Sequence, residues 1–359
     1  MKKKLAAKLG LLGLLCVGFV CFVSMTIDPY NVFHWKNARD NGVEPNKNYV
    51  KTQYVLHNPE KYDTFIFGNS RVGSLDAAKI SESCYNMYYS EGLPAEHYEN
   101  LLAFLEAGVD VQKVYLGLDD VPCFVDPSIH QDQLIRRPFR AKENKIAFWM
   151  DYLDASVALQ SLETICAYTG VEPGFQERLY STGNYYLETQ LTEESLAREE
   201  WPNYFAWYGE GAIEDIEAVK RLCEENSIEL IVFVNPEFYV RWEEAVERGY
   251  LAFLEQLAQI TDYYSFCGYN SVTTDMENFH DISHYKQSVG DRMLWIMERG
   301  TEGWPEYAAD DRVSQEQGGE SEENDWQSLG TLHQEGFGRY VTAETVQEYL
   351  DSLQAGGEE

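Results

Sequence analysis

The sequence predicts an α/β fold: a doubly wound sheet of five parallel strands, preceded by one membrane-crossing helix. Five short apolar or aromatic runs, at Thr64–Phe67, 84–88, Lys113–Leu118, Glu229–Val234 and 263–266, are of the kind buried on both faces of a parallel sheet. Helical patterns fall between them, as parallel connections require. Residues 9–27 carry no charge, which is long enough to cross a bilayer.

Taken in order, Lys2, Lys3, Lys4 and Lys8 precede the uncharged run and Asp28 follows it, so the basic flank is expected to stay inside. The end of the run, Cys21-Phe22-Val23-Ser24-Met25, has no small-x-small cleavage site, which favours an uncleaved anchor over 1–27 rather than a signal peptide. Asp28-Pro29-Tyr30 opens a juxtamembrane segment over 28–58. The main domain spans 59–300. In it a helix over 94–107 starts at Pro94, repeats Tyr98, Leu101, Leu102 and Leu105 inward, and stops at Gly108. Residues 120–210 form an insertion at the rim, with a helical stretch over 144–168 and aromatic segments at Asn184-Tyr185-Tyr186 and 201–208 that could stack on sugar rings or pack a small subdomain. Ile213, Ile216, Val219 and Leu222 mark another helical face. The last helix, 285–298, turns Tyr285, Val289, Met293 and Ile296 inward before Gly300. Residues 301–359 are expected to be an acidic, largely disordered tail holding one short helix over 343–354.

Four of the 28 basic residues precede Leu9, and all 60 acidic residues follow Ile27. The 24 remaining bases against 60 acids give that part a formal net charge of −36. Such a body repels nucleic acid, and no basic stripe offers a phosphate track. The seven cysteines include two in the membrane run, and the other five show neither C-x-x-C nor zinc-type spacing, so neither a metal nor a disulfide framework is expected. Cys84 and Cys267, in strand runs, read as small core residues.

Three separated stretches offer linked chemistry. Gly68-Asn69-Ser70 follows the first strand, Gly92 lies in a turn before a helix, and Asp281-Ile282-Ser283-His284 precedes the last helix. A serine hydroxyl is a poor nucleophile at neutral pH; acyl transfer needs a histidine to take its proton and a carboxylate to hold the imidazole in the right tautomer. Ser70, His284 and Asp281 supply these roles. A helix N-cap is the other common role for a serine placed like Ser70. His280 is a second histidine nearby, and the D-x-x-H spacing selects His284.

The order of these blocks resembles the SGNH/GDSL hydrolase superfamily, in its membrane-anchored cell-envelope branch, over about residues 60–300. Its members carry G-[DNS]-S after the first strand, an oxyanion glycine after the second, a G-x-N-D block after the third, and D-x-x-H near the end. Asp-Pro-Tyr after the anchor also recurs there. At Gly117-Leu118-Asp119-Asp120 the family's asparagine is replaced by Asp119. The resemblance implies a flavodoxin-like SGNH fold and no cofactor. It also implies an oxyanion hole built from the amides of Ser70 and Gly92, with Asn86, Asn235 or Arg71 substituting for the missing asparagine. An ionised Asp119 beside the oxyanion would repel it, so Asp119→Asn is expected to raise kcat. The implied activity is that of an extracytoplasmic, single-pass serine acyl esterase or O-acyltransferase on cell-envelope polysaccharide, working beside a membrane-bound O-acyltransferase. The alternative is a catalytically impaired SGNH-like module that binds glycan or scaffolds an envelope assembly.

Overall fold

The computed structural model describes residues 2–167, 189–197, 207–299 and 337–355. Its sheet runs β2-β1-β3-β4-β5-β6, with β1 (Thr64–Phe67), β2 (Cys84–Asn86), β3 (Lys113–Leu118), β4 (Glu229–Val234) and β5 (Tyr263–Ser265) parallel, and β6 (Arg339–Val341) antiparallel to β5. The order 2-1-3-4-5 is that of flavodoxin-type doubly wound sheets, whose topological switch point lies between β1 and β3. The helices are α1 (Lys2–Ile27), α2 (Lys47–Leu56), α3 (Pro94–Glu106), α4 (Lys145–Met150), α5 (Ala155–Ala167), α6 (Gly209–Glu225), α7 (Tyr239–Glu247), α8 (Tyr250–Ile260), α9 (Gln287–Arg299) and α10 (Val346–Ala355), besides shorter turns.

Successive side chains on the strands enter opposite cores, which is why the strand runs have no polar face. Phe65 and Phe67 join Leu116, Val232 and Val234 beneath α3, α6 and α8. Ile66, Tyr115 and Phe233 join Val289, Met293 and Ile296 of α9 on the other side. Cys84, Cys123, Cys223 and Cys267 are buried free thiols. Helix α9 begins at Gln287 rather than at 285, because Tyr285 still bridges Phe279 in extended backbone.

One expectation changes. The sheet has six strands rather than five. The sixth comes from the segment read as a disordered tail, where β6 closes the sheet edge and α10 packs Tyr349 and Leu350 into the core. Within that segment, residues 300–336 lie outside the described residues. The juxtamembrane segment 28–58 packs on the domain: Asp28 accepts from the N–H groups of Val32, Phe33 and His34 at 2.7–2.9 Å, and the Asn46 amide donates to Leu134 O, Arg137 O and Tyr152 Oη. Residues 184–186 and 201–206 lie outside the described residues; Trp207 packs edge-on against Phe124. Helix α1 is long and apolar enough to cross a membrane, and only Val23 and Ser24 along it are buried.

Candidate active site

Ser70, Gly92, the pair Asp119-Asp120, Asn235 and the Asp281–His284 loop follow the carboxyl ends of β1 to β5 in turn. This is the rim where doubly wound sheets bind ligands. The chain leaves β1 through Gly68 and Asn69 into a 3-10 turn, Ser70–Ser74, capped by the Asn69 side chain, which accepts from Arg71 N–H at 3.0 Å. That turn leaves Ser70 half-buried and open to solvent.

Ser70 Oγ lies 2.8 Å from His284 Nε2. On the far side of the ring, Nδ1 lies 2.9 and 2.8 Å from the two oxygens of Asp281. A carboxylate facing Nδ1 fixes the proton there and leaves Nε2 as the acceptor of the serine hydroxyl. Burial opposes the charge on Asp281, but the hydrogen bond and charge of His284 and the N–H groups of Ser283 and His284, each at 2.8 Å, outweigh it and hold the carboxyl below its usual range. The rival His280 turns away, its Nδ1 2.7 Å from Thr189 O.

The loop carrying His284 is fastened in part from the turn that carries Ser70. Arg71 Nε donates to Ser283 O at 3.1 Å, Ser74 Oγ to Tyr285 O at 2.8 Å, and His280 N–H to His284 O at 2.8 Å. Three consecutive carbonyls are thereby held, two of them by the turn that carries Ser70 and the middle one by the loop itself. Ser74, one turn beyond the nucleophile, was visible in the sequence but marked by no motif.

Asn86, Asn235, Asp119 and Arg71, expected near the oxyanion or substrate, are buried with their polar atoms turned into the fold. Asn86 donates to Val72 O and Leu75 O at 2.7 and 3.1 Å, pinning the 3-10 turn to β2. Asn235 donates to Leu118 O at 3.0 Å and accepts from Tyr285 Oη at 2.9 Å. Asp119 accepts from Asn69 Nδ2 at 2.7 Å and Val121 N–H at 3.0 Å, and faces Arg71 at 2.9 Å. Both of its oxygens are in use as acceptors. An asparagine there presents only one oxygen and sets an amide donor against another donor. Asp119→Asn is therefore expected to leave kcat without a gain and to lose about 1–3 kcal/mol of stability. Parallel initial rates and urea midpoints decide this, and a rate increase would restore the carboxylate to the oxyanion hole.

Arg71 is the centre of a buried charge cluster: its Nη1 also lies 2.8 Å from Asp120 and 2.9 Å from Glu237, and Arg241 lies 2.8 Å from the second oxygen of Asp120. Burial raises the Glu237 carboxyl well above its usual range and the charge on Asp120 raises it further. Asp120 moves the other way: burial works against its charge, and the two arginines prevail. Glu237 and Arg241 went unrecognised because they come from the β4–α7 connection and the first turn of α7, far in sequence from the serine.

Gly92 sits against the nucleophile strand: a Cβ built on it would lie 2.7 Å from Gly68 O and 2.9 Å from the His97 ring. Only glycine permits that approach. Its N–H closes a turn onto Tyr89 O at 3.2 Å, whereas the N–H of Ser70 has no acceptor among the described residues. The adjoining Glu91 holds a left-handed φ of 56° and pairs with Arg136 at 3.1 Å and with His130 at 3.4 Å, while His130 Nδ1 meets Glu96 at 2.7 Å. Burial works against the charge on His130, yet Glu91 and Glu96 push it up to about 9. A raised histidine contributes stability that is complete below its unfolded value of about 6.5 and is lost as pH rises through about 9. His130→Asn should remove a decline of up to ~3 kcal/mol across that window, read from urea unfolding at pH 6 and 9.5. Equal declines in both proteins would assign the pH dependence elsewhere.

No family model and no curated protein matches this chain.

Proposed function

We propose that this protein is a membrane-anchored, extracytoplasmic serine acyl esterase or O-acyltransferase of the SGNH type, acting on ester-linked acyl groups of a cell-envelope polysaccharide. The observation that carries the reading is the hydrogen-bonded chain from Ser70 through His284 to Asp281 at the rim of the sheet. In the first half-reaction Ser70 Oγ attacks the acyl carbonyl carbon while His284 Nε2 takes the hydroxyl proton. The imidazolium is stabilised by Asp281, and the Ser70 N–H faces the developing oxyanion. Collapse breaks the ester C–O bond, the leaving alkoxide takes the proton from His284, and the acyl group stays on Ser70. Water or a sugar hydroxyl then gives its proton to His284 and attacks the acyl-serine, yielding acid or a new ester and regenerating the serine.

The replacement of the family's asparagine by a buried, internally bonded Asp119 favours a second reading, a glycan-binding or scaffolding module whose acyl chemistry is lost. A fluorophosphonate separates the two. Phosphonylation of Ser70 located by mass spectrometry, absent in His284→Ala, supports the hydrolase reading. An unlabelled Ser70 in folded protein supports the module.

A further inference from the structure

Charge and apolar exposure are distributed unevenly over this molecule, and both gather where α1 leaves the domain. Residues 9–27 are uncharged and at 1.5 Å per residue span about 28 Å, close to the hydrocarbon thickness of a bilayer. Such a helix has no length to spare, so the turn at Val23 and Ser24 lies about 6 Å inside the outer edge of the apolar layer. That turn is the buried part of α1, and α5 packs against α1. Tyr152, just before α5, touches Tyr30, just after α1, with ring centroids 5.8 Å apart. Helix α5 therefore starts near the exit of α1. Its inner face is built of Val157, Ala158, Ser161 and Thr164, residues small enough for close helix packing.

The outer faces of α4 and α5 are apolar. Ile146 is 67 % exposed, Met150 58 %, Leu159 59 % and Leu162 44 %. Beyond α1, only Tyr340 is another large hydrophobic residue exposed to this degree among the described residues. The subdomain that carries α4, formed where Val32 and Tyr49 pack on Phe139 and Phe148, also exposes Lys36, Arg39, Arg140, Lys142 and Lys145. The nearby acids are engaged: Asp151 and Glu143 on Arg137, each at 2.5 Å, Asp154 accepting from Val157 N–H at 2.9 Å, and Glu106 within 3.9 Å of Lys142. In a chain with so large an acidic excess, this is a local basic surface. Half-buried Trp35 and Trp149 lie among these residues, side chains suited to the boundary between water and lipid.

Resting on the membrane-anchor reading, we propose that α4 and α5 dock on the outer leaflet of the bilayer beside α1, with Ile146, Met150, Leu159 and Leu162 at the boundary of head groups and acyl chains and the basic residues against anionic head groups. The occupant of the face is lipid: the face is continuous with the membrane helix, and its charge complements anionic lipid in a molecule that otherwise repels it. Glu163, exposed beside Leu159, limits the depth to the interface. The domain is thereby held flat on the membrane instead of swinging on a stalk.

The test uses the full chain in nanodiscs of phosphatidylethanolamine and phosphatidylglycerol with brominated acyl chains, and a fluorescent amino acid placed at position 146, 150 or 159. Position 14 within α1 and the exposed position 224 on α6 serve as references. Quenching at 146, 150 and 159 several-fold above that at 224 is expected. If position 14 is quenched while 146, 150 and 159 match 224, lipid docking is overturned and the anchor stands. If position 14 is itself unquenched, the anchor reading fails and docking falls with it.

Discussion

Ser70→Ala, His284→Ala and the double variant are expected to share one residual rate toward a chromogenic acetyl ester, on the order of 10⁴-fold or more below the parent chain. The equality follows from geometry: Oγ and Nε2, 2.8 Å apart, serve one proton transfer, so losing either partner removes the same step. What survives is binding and whatever the Ser70 amide contributes. His280→Ala serves as the internal control, since its ring is committed to Thr189 O and should leave the rate within about two-fold. Independent, multiplying losses in the double variant would mean that the two side chains do not act as a unit. An active Ser70→Ala would remove the nucleophile from the mechanism.

Arg71→Met is expected to cost about 3–5 kcal/mol, because in a fully buried setting it leaves Asp119 without a guanidinium and Asp120 with Arg241 alone. Burial alone opposes the charge on Arg71; Asp119, Glu237 and Asp120 more than reverse that and keep it protonated. The same substitution frees Ser283 O, so the rate should fall even in the fraction that remains folded. Adding Asp119→Asn to Arg71→Met should recover part of the stability, since a buried charge disappears with its partner. Thermal denaturation of the three variants measures this. No recovery in the double variant would attribute the loss to packing rather than to charge.

The five parallel strands were legible because each is buried on both sides, and an uninterrupted run such as Glu-Leu-Ile-Val-Phe-Val over Glu229–Val234 has few other uses. That Ser70, His284 and Asp281 belong together was legible for a related reason: short-range spacings place them, G-N-S behind one strand and D-x-x-H before one helix. The fixing of that site was not. Arg71, Ser74, Glu237 and Arg241 act across 49 to 212 positions of chain, and nothing in local periodicity reports a hydrogen bond from Arg71 to Ser283 O. Asp119 was read by analogy to an asparagine that donates to an oxyanion; its real neighbours, Asn69 and Arg71, lie on the other side of the switch point. Strand β6 was missed because three residues behind a long acidic stretch give too short a pattern to register. It forms because Tyr263 and Ser265 present an unpaired edge.

That last strand changes what the acidic stretch is. Residues 300–336 hold ten acidic residues and a single arginine, and the described chain on either side of them, up to Arg299 and from Phe337, belongs to the fold, so both ends of the stretch are fixed. Closing a loop costs free energy that grows only with the logarithm of its length, about 0.6 kcal/mol for each doubling. The sheet edge bears that cost through three paired residues and through α10, whose Tyr349 hydroxyl bonds Ser265 and whose Leu353 covers Gly268. The number and charge of residues between those two fixed ends can therefore drift widely in evolution at almost no expense to the sheet, whereas a single change in the short segment that reseals the edge acts on all of it.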